Sequence, residues 1–174
     1  MHEKWFTSDW HLFHENTIKK FKRTDGTPLR DFRGLWEMHE TLVENHNKLV
    51  KPGDYVYHLG DVTFALHEEF RVLMNRFNGK FRLIVGNHDK LHDQRLTVHF
   101  EKVMLWHGFK EHNFTATHMP IMLSQLRDGA YNVHGHTHSN KMQDPHYINM
   151  CVEQTDYKPV HIDEIVSRIK SKGH

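Results

Sequence analysis

Between residues 4 and 85 the chain alternates short β-favouring runs with two longer stretches of helical periodicity, and this alternation restricts the fold more than any other feature. Trp5, Phe6 and Thr7 suit a strand over residues 4–8. Leu35, Met38, Leu42, His46 and Leu49 recur at helical spacing, which predicts an amphipathic helix over residues 35–50 ended by Pro52-Gly53. Residues 55–59 read as a second strand. Leu66, Phe70, Leu73, Met74 and Phe77 mark a second helix closed by Asn78-Gly79, and residues 81–85 form a third strand. Strand, helix, strand, helix, strand is the pattern of a parallel α/β core, in which ligands collect beyond the carboxyl ends of the strands. From about residue 103 the texture changes to short β-like runs at 104–106, 113–117, 130–133 and 147–152. Ile162, Ile165, Val166 and Ile169 then mark a last amphipathic helix behind Pro159. The second half thus reads as a more mixed sheet packed on the first, within one α/β domain spanning residues 1–174.

Composition narrows the partners. A net charge of +1 with histidines neutral shows neither a nucleic-acid footprint nor a polybasic membrane patch. The single cysteine, Cys151, excludes an internal disulfide and a thiolate zinc cluster, and suits a reducing cytosol. No leader-like apolar segment precedes the first strand and no apolar run approaches membrane-spanning length, so a soluble, cytoplasmic protein is expected. The anomaly is 19 histidines, and their placement decides which of them bind something.

Several polar blocks fall where apolar strands end: Asp9 and His11, Gly60-Asp61, Gly86-Asn87-His88-Asp89, Thr117-His118, and Gly135-His136-Thr137-His138. Each alone has an ordinary explanation. Gly-Asn is common turn chemistry, and an Asp beside a surface His can simply cap a turn. Asp9 and His11 are two apart, so on an extended segment both side chains point to one side and can hold one divalent ion. His136 and His138 repeat that spacing. Asp61 carries two oxygens and can bridge two cations. Imidazole, carboxylate and amide oxygen without thiolate suit manganese, iron, zinc or nickel, with manganese mildly favoured. Two such ions about 3.5–4 Å apart form the site type that clamps both oxygens of an in-line phosphoryl displacement.

In this order the blocks resemble the signature of the calcineurin-like metallophosphoesterases, above all their small bacterial and phage members, whose first block residues 6–16 and whose tail residues 157–160 are similar to. The resemblance implies a four-layer α/β/β/α sandwich with a dinuclear metal site at the C-terminal strand edges. It assigns Asp9, His11, Asp61 and His138 to one ion and Asp61, Asn87, His118 and His136 to the other, with Asp61 as the bridge. It implies in-line attack by a metal-bridging hydroxide, with His88 assisting the leaving group as a general acid. A small phosphate ester, a phosphodiester or nucleotide-like molecule ahead of a monoester, is the expected substrate. A nuclease on the same metals, a phosphoprotein phosphatase and a non-catalytic scaffold remain as other readings. The short span from Asn87 to His118 leaves no room for a large capping insertion, so an open cleft is expected.

Other residues admit two readings. His14 and Asn16 either contact the substrate phosphate or lie in an exposed loop over residues 10–16. Asp89 caps a following helix or orients His88. His58 and His134 read as packed structural groups, and Cys151 as a core residue. Lys19, Lys20, Lys22, Arg23, Arg30 and Arg33 form either an anion-attracting rim or a solvated loop.

Overall fold

The computed structural model describes residues 2–172, arranged as two β-sheets with five α-helices. The first sheet has the strand order β4-β3-β2-β1-β9. Strands β1 (Lys4–Thr7), β2 (Tyr55–His58), β3 (Lys80–Ile84) and β4 (Phe100–Met104) run parallel, and β9 (Val160–His161) pairs antiparallel to β1 at the edge. The second sheet has the order β5-β6-β7-β8, built from β5 (Trp106–Phe109), β6 (Phe114–Thr117), β7 (Tyr131–His134) and β8 (Tyr147–Asn149). Only its β5/β6 pair is antiparallel. The mixed α/β architecture expected from the alternation is therefore present.

Helix α2 (Leu35–Leu49) covers the outer face of the first sheet with its apolar stripe. Met38, Leu42 and Val43 are buried there, each worth about 1.5–3 kcal/mol of transfer free energy. The helix stops where Val50 turns extended ahead of Pro52. Helix α3 (His67–Met74) packs on the same face through Phe70, Leu73 and Met74. It is shorter than the periodicity predicts. Phe77 lies past its end, yet is buried because its ring stacks on Trp10 at 4.3 Å. Between the sheets, Phe6, Tyr57, Leu59 and Ile84 meet Phe109, Phe114, Val133 and Ile148 in a second apolar cluster. Helix α5 (Ile162–Lys172) follows β9 directly and adds Ile162, Ile165 and Ile169 to that cluster. Two short helices, α1 (Asn16–Lys19) and α4 (Gln94–Thr97), complete the set.

Two expectations need correction. The β-like texture expected from about residue 103, with its first run at 104–106, begins earlier, because β4 extends the first sheet and the chain crosses to the second sheet at Leu105. The stretch after β1 is not an exposed loop. Trp10 and Leu12 are 2% and 0% exposed, since the indole stacks on Phe77, donates from Nε1 to Thr7 Oγ1 at 3.0 Å and fills the first core. Among the described residues no helix is long and apolar enough to cross a membrane.

Candidate metal centre

The loops that leave the strands run side by side and bring the polar blocks together. Backbone hydrogen bonds from Asp9 N to Gly60 O, His11 N to Asp61 O and Leu12 N to Val62 O tie the first loop to the second. Gly135 N donates to His118 O, and Val152 N to Ser8 O, which joins the second sheet's loops to the first. Two glycines permit the closest approaches. A Cβ on Gly86 would strike Asp61 Oδ1, and one on Gly135 would strike Ser8 Oγ and Asp9 Oδ2.

The segments carrying the donors are not extended, contrary to the reading from spacing. Asp9, His11, Phe13, Asp61, His136 and His138 all have positive φ, between 47° and 67°. Side chains two residues apart still converge, but because the chain turns at each donor. Left-handed backbone in non-glycine residues is costly and concentrates at functional sites.

Two donor groups result. Asp9, His11 and His138 form one, and Asp61, His118 and His136 the other, each with donor atoms within 4.8 Å of one another. His11 Nε2 lies 3.6 Å from Asp9 Oδ1 and 3.5 Å from Asp61 Oδ2. His138 Nε2 is 3.8 Å from Asp9 Oδ1. His118 Nε2 lies 3.5 Å from the same Asp61 Oδ2 and 3.0 Å from Asn87 Oδ1. A single Asp61 oxygen therefore faces both groups, in place of one oxygen for each; its other oxygen accepts a hydrogen bond from His88 N at 2.9 Å.

The hydrogen bonds around these atoms leave lone pairs facing one another. His118 Nδ1 donates to Leu59 O at 2.7 Å, so Nε2 presents a lone pair towards Asp61 and Asn87. His138 Nδ1 donates to Glu153 Oε1 at 3.1 Å, which turns its Nε2 lone pair towards Asp9. Asp9 Oδ1 and both His11 nitrogens are buried and have no hydrogen-bond partner. Buried polar atoms without a partner are costly, and a bound cation removes that cost. Asp9 Oδ2, by contrast, is saturated by Ser8 Oγ at 2.5 Å, His136 N at 2.9 Å and Cys151 Sγ at 3.2 Å. Burial would raise the Asp9 pKa, but the nearby imidazoles of His11, His118 and His138 hold it well below the usual carboxylate range. The residues present fit one or more divalent cations.

Three supporting residues escaped the sequence reading. Arg30, placed there in a basic rim or solvated loop, is completely buried. Its guanidinium donates to Asp9 O at 2.5 Å and Trp10 O at 2.8 Å, and its Nε pairs with Glu153 at 2.8 Å. Glu153 is also fully buried and links Arg30 to His138. Burial would raise its pKa, but Arg30 and then His138 lower it, whereas Glu153 raises that of His138 against desolvation. The third is Phe64. Its half-exposed ring stacks on His14 at 4.1 Å and lies 5.5 Å from His11 and 5.0 Å from His88.

The remaining candidates fall as follows. His88 and Asn87 are exposed at the mouth of the site. His14 is half-buried beside His11, and burial, with the charges of His11 and His88, lowers its pKa to about 4. Asn16 opens α1 and is half-buried. Asp89 caps no helix and instead accepts from Asp61 N, Val62 N and Gly86 N, pinning the Gly60–Val62 turn. His58 and His134 are buried and structural: desolvation lowers the pKa of both, that of His58 to about 3. Cys151 is buried, but against Asp9 and His138 N, where burial and the neighbouring carboxylates raise its pKa. Lys19 and Arg33 remain at the surface, paired with Glu15 and Glu37.

No protein-family model matches the chain. It is 32% identical over 179 residues to the uncharacterized protein MJ1445 of Methanocaldococcus jannaschii, an alignment covering 98% of this chain and 93% of the archaeal one. The chain belongs to the same family as that protein. It is also 28% identical over 173 residues to the gene 66 protein of Mycobacterium phage L5, covering 80% and 79% of the two chains. Among solved structures, the protein of unknown function AQ665 from Aquifex aeolicus is similar with a TM-score of 0.70 and 25% identity, over 96% of this chain and 99% of that one.

Proposed function

We propose that the protein is a calcineurin-like metallophosphoesterase that hydrolyses a small phosphodiester, with its two sheets and flanking helices corresponding to the four-layer sandwich of that group. The observation that carries the reading is the pair of donor groups that meet at Asp61 Oδ2, beside a buried Asp9 Oδ1 and two buried His11 nitrogens that have no hydrogen-bond partner. Asp9, His11, Asp61 and His138 would hold one divalent ion, and Asp61, Asn87, His118 and His136 a second. Manganese suits this nitrogen and oxygen set, and zinc, iron or nickel would also bind it. When bound, the ions supply positive charge against the phosphoryl oxygens and lower the pKa of water.

The chain's own residues do the rest. Leu59 O and Glu153 orient His118 and His138 so that their Nε2 atoms face inward. Asp89 and the His88 backbone hold Asp61 in register. His88, exposed at the mouth, is placed to donate a proton to the leaving oxygen, and imidazole suits that task near neutral pH. Phe64 excludes water on the side of His11 and His14.

The test is hydrolysis of a chromogenic phosphodiester and the matching monoester by metal-stripped protein re-supplied separately with manganese, zinc, nickel, magnesium and calcium. Metal-restored diester cleavage that Asp61→Ala abolishes is the expected result. No turnover of either ester with any of these ions would refute the proposal.

A further inference from the structure

The segment between Asn87 and His118 and the residues that follow it line an open cavity of about 570 Å³ beside the second donor group. Asn87 and His118, both donors, border it directly, together with Leu105, Trp106 and Met119. Trp106, Thr115 and Arg127 also border a neighbouring cavity of about 240 Å³ that Asn87 and His118 do not line. Leu105, Trp106 and Met119 are 66%, 63% and 46% exposed, an unusual concentration of uncovered apolar surface on one wall. Arg127 is anchored by Asn113 Oδ1 at 2.5 Å.

We propose that this cavity binds an organic substituent of the substrate and that this substituent is a planar aromatic ring. The assignment rests on the phosphoesterase reading, since a phosphoryl group held beside the donor groups lies next to the cavity that Asn87 and His118 border, and one ester arm would enter it. The volume lies within the range of small-molecule sites, roughly 300–1,000 Å³. The Trp106 indole offers a π-face, the Met119 thioether packs well on ring edges, and the Arg127 guanidinium can meet a polar ring substituent. A sugar phosphate or an alkyl phosphate would leave that apolar wall in water.

The probes are phenyl phosphate and methyl phosphate, titrated calorimetrically into the protein with and without zinc, and bis(4-nitrophenyl) phosphate for kinetics. Phenyl phosphate is expected to bind at least tenfold more tightly than methyl phosphate. Trp106→Ala should remove that preference and raise KM for the diaryl diester about tenfold with kcat little changed, the low end of aromatic stacking. Trp106→Phe should restore most of it, while Trp36→Ala, on the exposed side of α2, keeps the wild-type preference. Equal binding of the two phosphates, or a preference that survives Trp106→Ala, overturns the assignment. Aryl preference without turnover would sink the phosphoesterase reading and leave the cavity assignment standing. Turnover with an unchanged KM in Trp106→Ala would do the reverse.

Discussion

Arg30→Met removes a charged side chain that is completely buried and replaces it with one of comparable length. Four interactions go: the 2.8 Å pair with Glu153, the donations to the carbonyls of Asp9 and Trp10, and a weak one to Met38 Sδ at 3.3 Å. The Glu153 carboxylate, itself fully buried, is then left facing only His138. Breaking one side of a buried ion pair costs about 3–5 kcal/mol, because the remaining charge stays desolvated. The two carbonyls add to this, though not additively, since all these bonds share one guanidinium. A net loss of about 4 kcal/mol is roughly a quarter or more of the stability of an ordinary domain. For a chain of this size it corresponds to a fall in Tm of roughly 8–16 °C. The assay is thermal unfolding followed by circular dichroism at neutral pH with chelator present, so that no bound ion contributes. Arg30→Met/Glu153→Leu should recover to within about 2 kcal/mol of wild type, since no buried charge is then unpaired and only the two carbonyls and Nδ1 of the partly exposed His138 lack partners. A Tm loss under about 3 °C for Arg30→Met, or a double variant less stable than the single one, would refute the reasoning.

Other outcomes follow from the same geometry. His88→Ala should retain bound metal while lowering turnover of a diester with a poor leaving group by about a hundredfold or more; turnover like wild type would remove its acid role. Gly86→Ala, whose Cβ would displace the Asp61 carboxylate, should stay folded by circular dichroism but lose metal uptake measured by elemental analysis. Burial depresses the pKa of His46 to about 4 and of His58 to about 3, so both are neutral when folded and protonated when unfolded at pH 5. Their contribution is therefore lost as pH falls from 6.5 towards 4, and the urea midpoint of the metal-free protein should drop by an amount equivalent to roughly 2–4 kcal/mol between pH 7 and pH 5. A midpoint that holds steady over that window would contradict their buried, neutral state.

The first half of the fold was legible because each element declares itself locally. Helix α2 carries its apolar stripe at helical spacing, and β1 to β3 are short β-favouring runs between turn residues. Strand β4 was missed because Glu101 and Lys102 face solvent at the sheet's edge and interrupt the apolar run. The donor residues were legible because they follow strands in chain order, although their left-handed backbone was not, since spacing alone does not distinguish a turn at each donor from an extended segment. Arg30 and Glu153 were invisible for a different reason. They are 123 residues apart, and a charged residue in a basic loop looks the same whether it meets water or a distant carboxylate. Trp106 and Phe64 gave no signal as single aromatics, because their roles depend on which loop faces them.

The positive φ values at His11 and His138 carry a consequence for evolution and for engineering. Each left-handed histidine is held there at a cost of about 1 kcal/mol that glycine would not bear. Replacing His11, whose buried nitrogens have no hydrogen-bond partner, by glycine should thus relieve strain even as it deletes a donor, so the most durable version of this fold and its most reactive version are different sequences. A chain released from selection for chemistry would be expected to drift towards glycine or asparagine at these positions, leaving a sturdier relative whose donor set is broken.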